Sequence, residues 1–191
     1  MAENAWQPEQ NSLGAIVRML QATTSPDNAV QRQVLSSIAS FKQNPEFARY
    51  LSFVLASCTD AQVGGAYVRQ QAGLILKTIV SRRAEFLRLQ PPVLSYIVSQ
   101  LMRASSIGDP EFAVRKTVAN VLASVMYSQK KPDAFTAWPQ MLPMLVGMMT
   151  SGSASGAQSS ANGSGVALVE GATHAISLLC EDCGQRMLAV E

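Results

Sequence analysis

Two cysteines near the end of the sequence, Cys180 and Cys183, form a C-x-x-C pair, the spacing of thiol-redox centres and of half a zinc site. A zinc site needs further ligands, and the sequence offers only one more cysteine, Cys58, and one histidine, His174. The apolar periodicity around Cys180 predicts a buried helix, where a cysteine serves as a small apolar side chain. We therefore interpret the pair as helical thiols beside a core and expect no bound metal.

Catalysis by a nucleophile would have to use His174, and the residues around it do not resemble a nucleophile turn. Carboxylates are few and scattered along the chain, so no pair stands out for acid–base work. The glycines of 152–165 alternate with serine and alanine, unlike a phosphate-binding loop that follows a strand. We predict that the chain is not an enzyme and uses no cofactor.

The overall charge and composition exclude several classes of binding partner. The 15 basic and 13 acidic residues nearly cancel, and aromatic residues make up only 6%, so we expect no nucleic-acid binding. No apolar run is long enough for a membrane span, and the first residues lack the pattern of a signal peptide. The sequence favours reduced thiols and a place in the cytoplasm and nucleus.

The apolar residues recur every three or four positions almost throughout the chain, which predicts an all-α protein. Short polar breaks, such as those around Pro26, Pro45 and Pro91, separate the helices. A Ser/Gly/Ala tract at 151–165 predicts a flexible inserted loop. We expect four helix pairs and the start of a fifth, at about 10–43, 45–83, 91–129, 133–182 and from 184.

The second helix of each predicted pair starts in the same sequence frame, at Val30, Val68, Val114 and Leu168. Without the Ser/Gly/Ala tract, the repeat period is about 40 residues, which is typical of HEAT and armadillo arrays. The V-R-x-x-A pattern at the start of the second helix favours HEAT. Because one pair cannot bury its apolar face alone, we predict a superhelical solenoid of about four antiparallel helix pairs.

Four stretches of the chain carry a resemblance to a known family. They are, in this order, SPDNAVQRQVLSSIASFKQNPEFARYLSFVL, AGLILKTIV, WPQMLPML and GATHAISLLCED. Together they resemble the N-terminal part of the importin-β family of nuclear import receptors, in its transportin branch, over essentially the whole chain.

This resemblance implies a HEAT superhelix whose N-terminal repeats bind the small GTPase Ran in its GTP form. It also implies that cargo nuclear-localisation signals and phenylalanine–glycine nucleoporins bind regions absent from this chain. We accordingly expect a monomeric fragment, or a truncated gene product, of a receptor that shuttles between cytoplasm and nucleus.

The helical phase around Lys77 gives the predicted binding surface. Val68, Ala72 and Ile79 fall on one side of a helix, and Lys77 falls on the other. In a HEAT stack the second helices line the concave side, so Lys77 should face the groove of the superhelix. With the family resemblance, this makes the following residues candidates for binding Ran: Arg32, Gln70, Leu74, Lys77, Thr78, Lys116, Asn120 and Glu170.

The predicted surface has an organised charge pattern, and at one position it departs from the family. It is basic over the first three pairs and turns acidic at the fourth, as suits a protein partner with complementary charges. The family commonly has asparagine where this chain has Thr78, which puts one polar contact to Ran in doubt. Arg69 and Arg115 lie at the edge of the core stripe, and we predict that each pairs with an acidic residue or a carbonyl of a neighbouring repeat.

Trp138 and its neighbours ("WPQMLP") could suggest a ligand cage. We expect instead that Trp138 anchors the entry of a helix and that Pro143 kinks it. The methionines that follow, Met141, Met144, Met148 and Met149, are interpreted as adaptable core residues.

Three alternatives stay open at this point. The first is a HEAT scaffold that assembles a protein complex without depending on Ran. The second is a redox or metal enzyme that uses Cys180 and Cys183. The third is a helical adaptor at a membrane surface, which the lack of basic clustering disfavours.

Overall fold

The computed structural model describes residues 6–59, 65–130, 134–155 and 164–187. Within these ranges every regular element is a helix, which confirms the predicted all-α class. No helix in the same ranges is long and apolar enough to cross a membrane. The helices are α1 (Gln10–Gln21), α2 (Asn28–Phe41), α3 (Phe47–Ser57), α4 (Gly65–Ser81), α5 (Arg83–Phe86), α6 (Pro91–Leu101), α7 (Ala104–Ile107), α8 (Phe112–Ser128), α9 (Ala134–Ala137), α10 (Met141–Ser155) and α11 (Ser164–Met187).

The eight long helices form four consecutive pairs, α1–α2, α3–α4, α6–α8 and α10–α11. The second helices of the last three pairs stack in chain order, since α4 packs on α8 and α8 packs on α11. The first helices of the second and third pairs, α3 and α6, also pack on each other. The short helices α5, α7 and α9 lie in the connections. This is the HEAT-repeat solenoid that the period of about 40 residues predicts.

Carboxylate side chains at the polar breaks set where α1 and α2 begin. The sequence predicts Ser12 as the start of the first helix. The carboxylate of Glu9 accepts hydrogen bonds from the backbone N–H groups of Asn11 and Ser12, so α1 instead starts at Gln10, two residues earlier. The carboxylate of Asp27 caps α2 by accepting from the backbone N–H of Ala29 at 2.7 Å.

The break before α3 differs from the prediction in detail. The side chain of Asn44 accepts from the backbone N–H of Glu46 at 2.9 Å, which makes a turn ahead of the helix. The sequence predicts Asn44 as the N-cap of α3 and Pro45 as its first residue, but the helix begins at Phe47.

One continuous apolar core runs through the array. The apolar positions spaced three or four apart on α3, α6 and α8 are almost fully buried, as at Leu51, Ile97 and Leu122. Each such side chain stabilises the fold by about 1.5–3 kcal/mol relative to an exposed one. On α4, Val68, Ala72 and Leu76 belong to this core, which places Lys77 on the opposite side of the helix.

The last pair departs from the prediction at three points. Residues 151–155 continue α10 and residues 164–165 begin α11, so these ends of the predicted loop are helical; residues 156–163 lie outside the described residues. Residues 184–187 continue α11 and do not begin a new helix, and 188–191 are again outside. Pro143 lies in the first turn of α10, where its missing N–H costs no helical hydrogen bond, so it does not kink the helix.

Trp138 and the four methionines that follow it are buried to different degrees. Trp138 is half-buried against the core directly before α10, as predicted for an anchor. Met141 is buried, and Met148 and Met149 pack partly against the core. Met144 is 46% exposed and is not a core residue, because it lies on the outer side of the first turn of α10.

Gly171 allows α11 to touch the preceding repeat. A Cβ atom at this position would lie 1.7 Å from the carbonyl oxygen of Ile107 and 3.0 Å from Cγ of Arg115. Backbone cannot yield as a flexible side chain does, so α11 would have to move away from α7 and α8. The glycine is therefore a packing requirement of the junction between the third and fourth pairs.

We expect Gly171→Ala to destabilise the chain by roughly 1–3 kcal/mol, because the clash outweighs the gain of about 1 kcal/mol that alanine brings to a helix. Gly147→Ala is the matched control, since a Cβ atom on that helical glycine meets nothing within 4 Å. It should be neutral or slightly stabilising. Urea denaturation followed by circular dichroism measures both, and equal stability of the two variants would contradict the packing role.

Candidate protein-binding surface

A groove between the second helices of the second and third pairs contains most of the predicted site. It has a volume of about 370 Å³. Its walls come from α4 and α8, so we call it the α4–α8 groove. The residues that line it are Gln70, Leu74, Lys77, Phe112, Ala113, Lys116, Thr117 and Asn120.

Lys77 reaches across this groove from α4 to α8. Its ammonium group donates to Oδ1 of Asn120 at 3.1 Å, and the side-chain amide of Asn120 donates back to the carbonyl of Lys116 at 2.8 Å. The half-buried stem of Lys77 is thereby held along the groove wall. An ammonium group has three donors, so two stay available for an acceptor on a partner.

Two apolar side chains stand exposed in the same groove. Leu74 on α4 is 44% exposed and Phe112 on α8 is 65% exposed. The position of Leu74 opposite the core stripe agrees with the predicted helical phase. Exposed apolar side chains beside two lysines make a surface that can bury an apolar anchor of another protein within a charged rim.

Five of the eight predicted residues line the groove, and three do not. Arg32 is exposed on α2, and its Nε donates to the carbonyl of Asn28 at 3.3 Å. Thr78 is exposed on α4 and turns its hydroxyl back to the carbonyl of Leu74 at 3.0 Å. Glu170 lies on α11, where its carboxylate accepts from Arg115 at 2.6 Å.

The two arginines of the core stripe do pair with neighbouring repeats, which confirms that prediction. Arg69 is buried on α4, donates to the carbonyl of Leu55 at 2.9 Å and forms an ion pair with Asp109. Asp109 lies just before α8 and is itself buried; its second oxygen accepts from the backbone N–H of Glu111 at 3.0 Å. This pair fixes the start of α8, and hence Phe112, relative to α4.

Arg115 continues the connection to the next repeat. Its guanidinium donates to the carbonyl of Asp109 at 2.5 Å and to Glu170 on α11, and it lies 5.5 Å from the centre of the Phe112 ring. Glu170 therefore has a structural partner, although its side chain is still 56% exposed. The chain Arg69–Asp109–Arg115–Glu170 holds α4, α8 and α11 in register, and with them the walls of the α4–α8 groove.

Sequence reasoning missed Phe112, Ala113 and Thr117 in the groove and Asp109 in its support. A signal for Phe112 was present, because Phe112, Lys116 and Asn120 are spaced four residues apart and so share one helix face. No comparable signal marks Asp109, whose partner Arg69 is 40 residues away.

The cysteine pair has two different environments on α11. Cys180 is exposed and Cys183 is buried beside the core. Among the described residues, no group of three or more histidine, cysteine, aspartate and glutamate side chains is arranged to hold a metal ion. Cys58, after α3, is half-buried, and that burial raises the pKa of its thiol, although the charge of nearby Arg69 acts in the opposite direction.

We expect the thiols of Cys58 and Cys180 to differ in reactivity. The raised pKa of Cys58 leaves less thiolate at pH 8, so Cys58 should react with a thiol reagent much more slowly than exposed Cys180, and its rate should keep rising with pH. Timed labelling and mass spectrometry measure this, with Cys58→Ser and Cys180→Ser as matched controls. Equal rates for Cys58 and Cys180 in the folded protein would contradict the assigned burial.

Comparison with known proteins finds no matching family model but several similar proteins. The chain is 29% identical to transportin of Dictyostelium discoideum over 95% of its own length and 17% of that protein. It is 28% identical to human transportin-1 over 96% of the chain and 18% of the relative. With importin subunit beta-2 of Schizosaccharomyces pombe the identity is 26%, over 98% and 18%. These relatives confirm the resemblance read from the sequence, and the chain spans less than a fifth of their length.

Proposed function

We propose that this chain is the Ran-binding segment of a nuclear import receptor of the transportin type, and that the α4–α8 groove is part of the contact with Ran in its GTP form. The observation that carries the proposal is the meeting of Leu74 and Phe112 with Lys77 and Lys116 in one groove, in a chain similar to transportins along nearly its whole length. The relatives named transportin and importin subunit beta-2 are nuclear import receptors.

The chemistry of the groove suits a protein partner and requires no reaction. Leu74 and Phe112 supply apolar area that a partner can bury, as interface anchors do. Lys77 and Lys116 supply positive charge that would steer and orient a complementary acidic surface. The hydrogen bond from Lys77 to Asn120 holds the ammonium in place before binding, which lowers the entropy lost on association.

The role of such a segment in the complete receptor is allosteric. Binding of Ran-GTP at this end of the solenoid favours a curvature that releases cargo held elsewhere on the receptor. The coupling needs two sites and a deformable array of repeats between them. A receptor with this function works in both the cytoplasm and the nucleus.

The three predicted residues outside the α4–α8 groove contribute differently to the proposed contact. Arg32 is exposed on α2 and extends the basic surface towards the first pair. Thr78 has its hydroxyl occupied by the carbonyl of Leu74, so we assign it little of the contact. Glu170 is engaged by Arg115, and its first role is to hold α11 to α8.

A linkage experiment tests the proposal. If the chain prefers Ran-GTP, saturating chain must raise the affinity of Ran for GTP relative to GDP by the same factor, because coupling is reciprocal. We expect a change of at least 100-fold in the ratio of nucleotide affinities, measured by competition of fluorescent nucleotides on purified Ran. An unchanged ratio at saturating, folded chain would favour the alternative, a HEAT scaffold whose binding does not depend on Ran.

A further inference from the structure

A second and larger groove lies between the first two helix pairs. It runs from α2 across to the end of α4 and α5, and has a volume of about 580 Å³. We call it the α2–α4 groove. Among the residues that line it are Leu35, Ile38, Lys42, Ile79, Arg82 and Arg88.

Helix α2 borders this groove and is attached to the rest of the chain at its middle and at its C-terminal end. Val34 is the buried residue of α2, and the helix is held at its end by the stacked rings of Phe41 and Phe47, 5.5 Å apart. Lys42 adds an ion pair to Glu85 at 3.1 Å. Between these attachments, Leu35 stands 66% exposed at the lip of the groove. An exposed apolar side chain beside the apolar floor of a groove offers surface that a partner protein can bury.

The rim of the groove is positively charged. Three basic side chains and one acidic side chain line it, which leaves an excess of two positive charges. Glu85 is shared by Lys42 and Arg82, the latter at 3.4 Å. Arg88 is exposed and makes no ion pair with any described residue. The rim therefore complements carboxylates.

We propose that the α2–α4 groove binds a short acidic segment of a partner protein through one large apolar side chain of that segment. The apolar side chain enters between Leu35, Ile38 and Ile79, and flanking carboxylates pair with Arg82 and Arg88. A nucleic acid fits poorly, because the exposed lining offers no aromatic platform for bases.

This binding site is separate from the α4–α8 groove. The two grooves share no lining residue and lie on different sides of α4, with Leu74 and Lys77 facing α8 and Ile79 facing α2. A partner segment could occupy the α2–α4 groove whatever occupies the α4–α8 groove. Failure of one proposal therefore leaves the other intact.

The test uses a defined panel of fluorescent twelve-residue peptides and fluorescence anisotropy with the purified chain. The first peptide has a central phenylalanine flanked by aspartate and glutamate; the second replaces the acids by asparagine and glutamine; the third replaces phenylalanine by alanine. We expect the first to bind at least tenfold more tightly than either of the others, and to bind more weakly as salt is raised.

Two variants locate the site on the chain. Arg82→Glu/Arg88→Glu should weaken binding of the acidic peptide by at least tenfold, whereas the control Arg18→Glu/Arg103→Glu, with the same charge change on exposed arginines elsewhere, should leave it within about twofold. Leu35→Ala, at an exposed position that folding does not require, should weaken it several-fold. Absence of binding, equal binding of all three peptides, or equal loss in both double variants would overturn the proposal.

Discussion

Replacing Asp109 with alanine is expected to lower the free energy of unfolding of this chain by about 3–5 kcal/mol. The substitution removes the carboxylate that pairs with Arg69, and both side chains are buried. Without that carboxylate, the guanidinium of Arg69 would keep its hydrogen bond to the carbonyl of Leu55 but would lose its acidic partner. An unpaired buried charge costs far more than the pair itself contributes, so the loss is large.

Three variants make this prediction specific, with urea denaturation followed by circular dichroism as the measurement. Asp109→Asn keeps an acceptor for Arg69 and should cost clearly less than alanine. Arg69→Met/Asp109→Ala removes both charges and should recover much of the loss. Glu46→Ala, which breaks a half-buried pair to Arg49 at 2.9 Å, should cost clearly less than Asp109→Ala, because neither partner is fully buried. A cost for Asp109→Ala no greater than that of Glu46→Ala would contradict the assigned network.

The second large effect is expected on binding. Lys77→Glu/Lys116→Glu should weaken binding of Ran-GTP by roughly 100-fold, since like charges facing each other at an interface cost several kcal/mol. Both lysines lie on the surface of the α4–α8 groove, away from the core, so the fold should survive. Isothermal titration calorimetry of the variant and the unaltered chain measures the change.

The control Arg18→Glu/Arg103→Glu carries the same change of charge on other exposed arginines and should keep binding within a few-fold. Phe112→Ala separates the apolar part of the contact from the charged part, and we expect about tenfold weaker binding from it alone. If the lysine variant bound Ran-GTP as tightly as the control does, the α4–α8 groove would not be the contact surface.

The fold was predictable from the sequence because its signals are local and repeated. The spacing of Val68, Ala72 and Leu76 defines one buried stripe, and similar stripes recur about every 40 residues. The same periodicity placed Leu74 and Lys77 on the far side of α4, where they indeed line a groove. A helix phase needs only a few correctly read apolar positions, so these assignments were accessible without any structure.

The limits of prediction appear where a residue depends on a partner distant in sequence. Glu170 occupies the same position in its repeat as Gln70 and Lys116, but its carboxylate is bound by Arg115, 55 residues earlier. The pairing of Asp109 with Arg69 and the shape of the α2–α4 groove both depend on how neighbouring repeats pack against each other. The end of the array shows the same limit, since the glycine and serine residues of 151–155 are weak helix formers and yet continue α10.

Direct binding of the purified chain to Ran, loaded in parallel with a non-hydrolysable GTP analogue and with GDP, tests the central claim most directly. The sample should first be shown to be helical and monomeric. We predict tight binding to the GTP-analogue form and at least 100-fold weaker binding to the GDP form. Equal binding to the two forms, or no binding to either by a folded sample, would contradict the assignment of this chain as the Ran-binding segment of an import receptor.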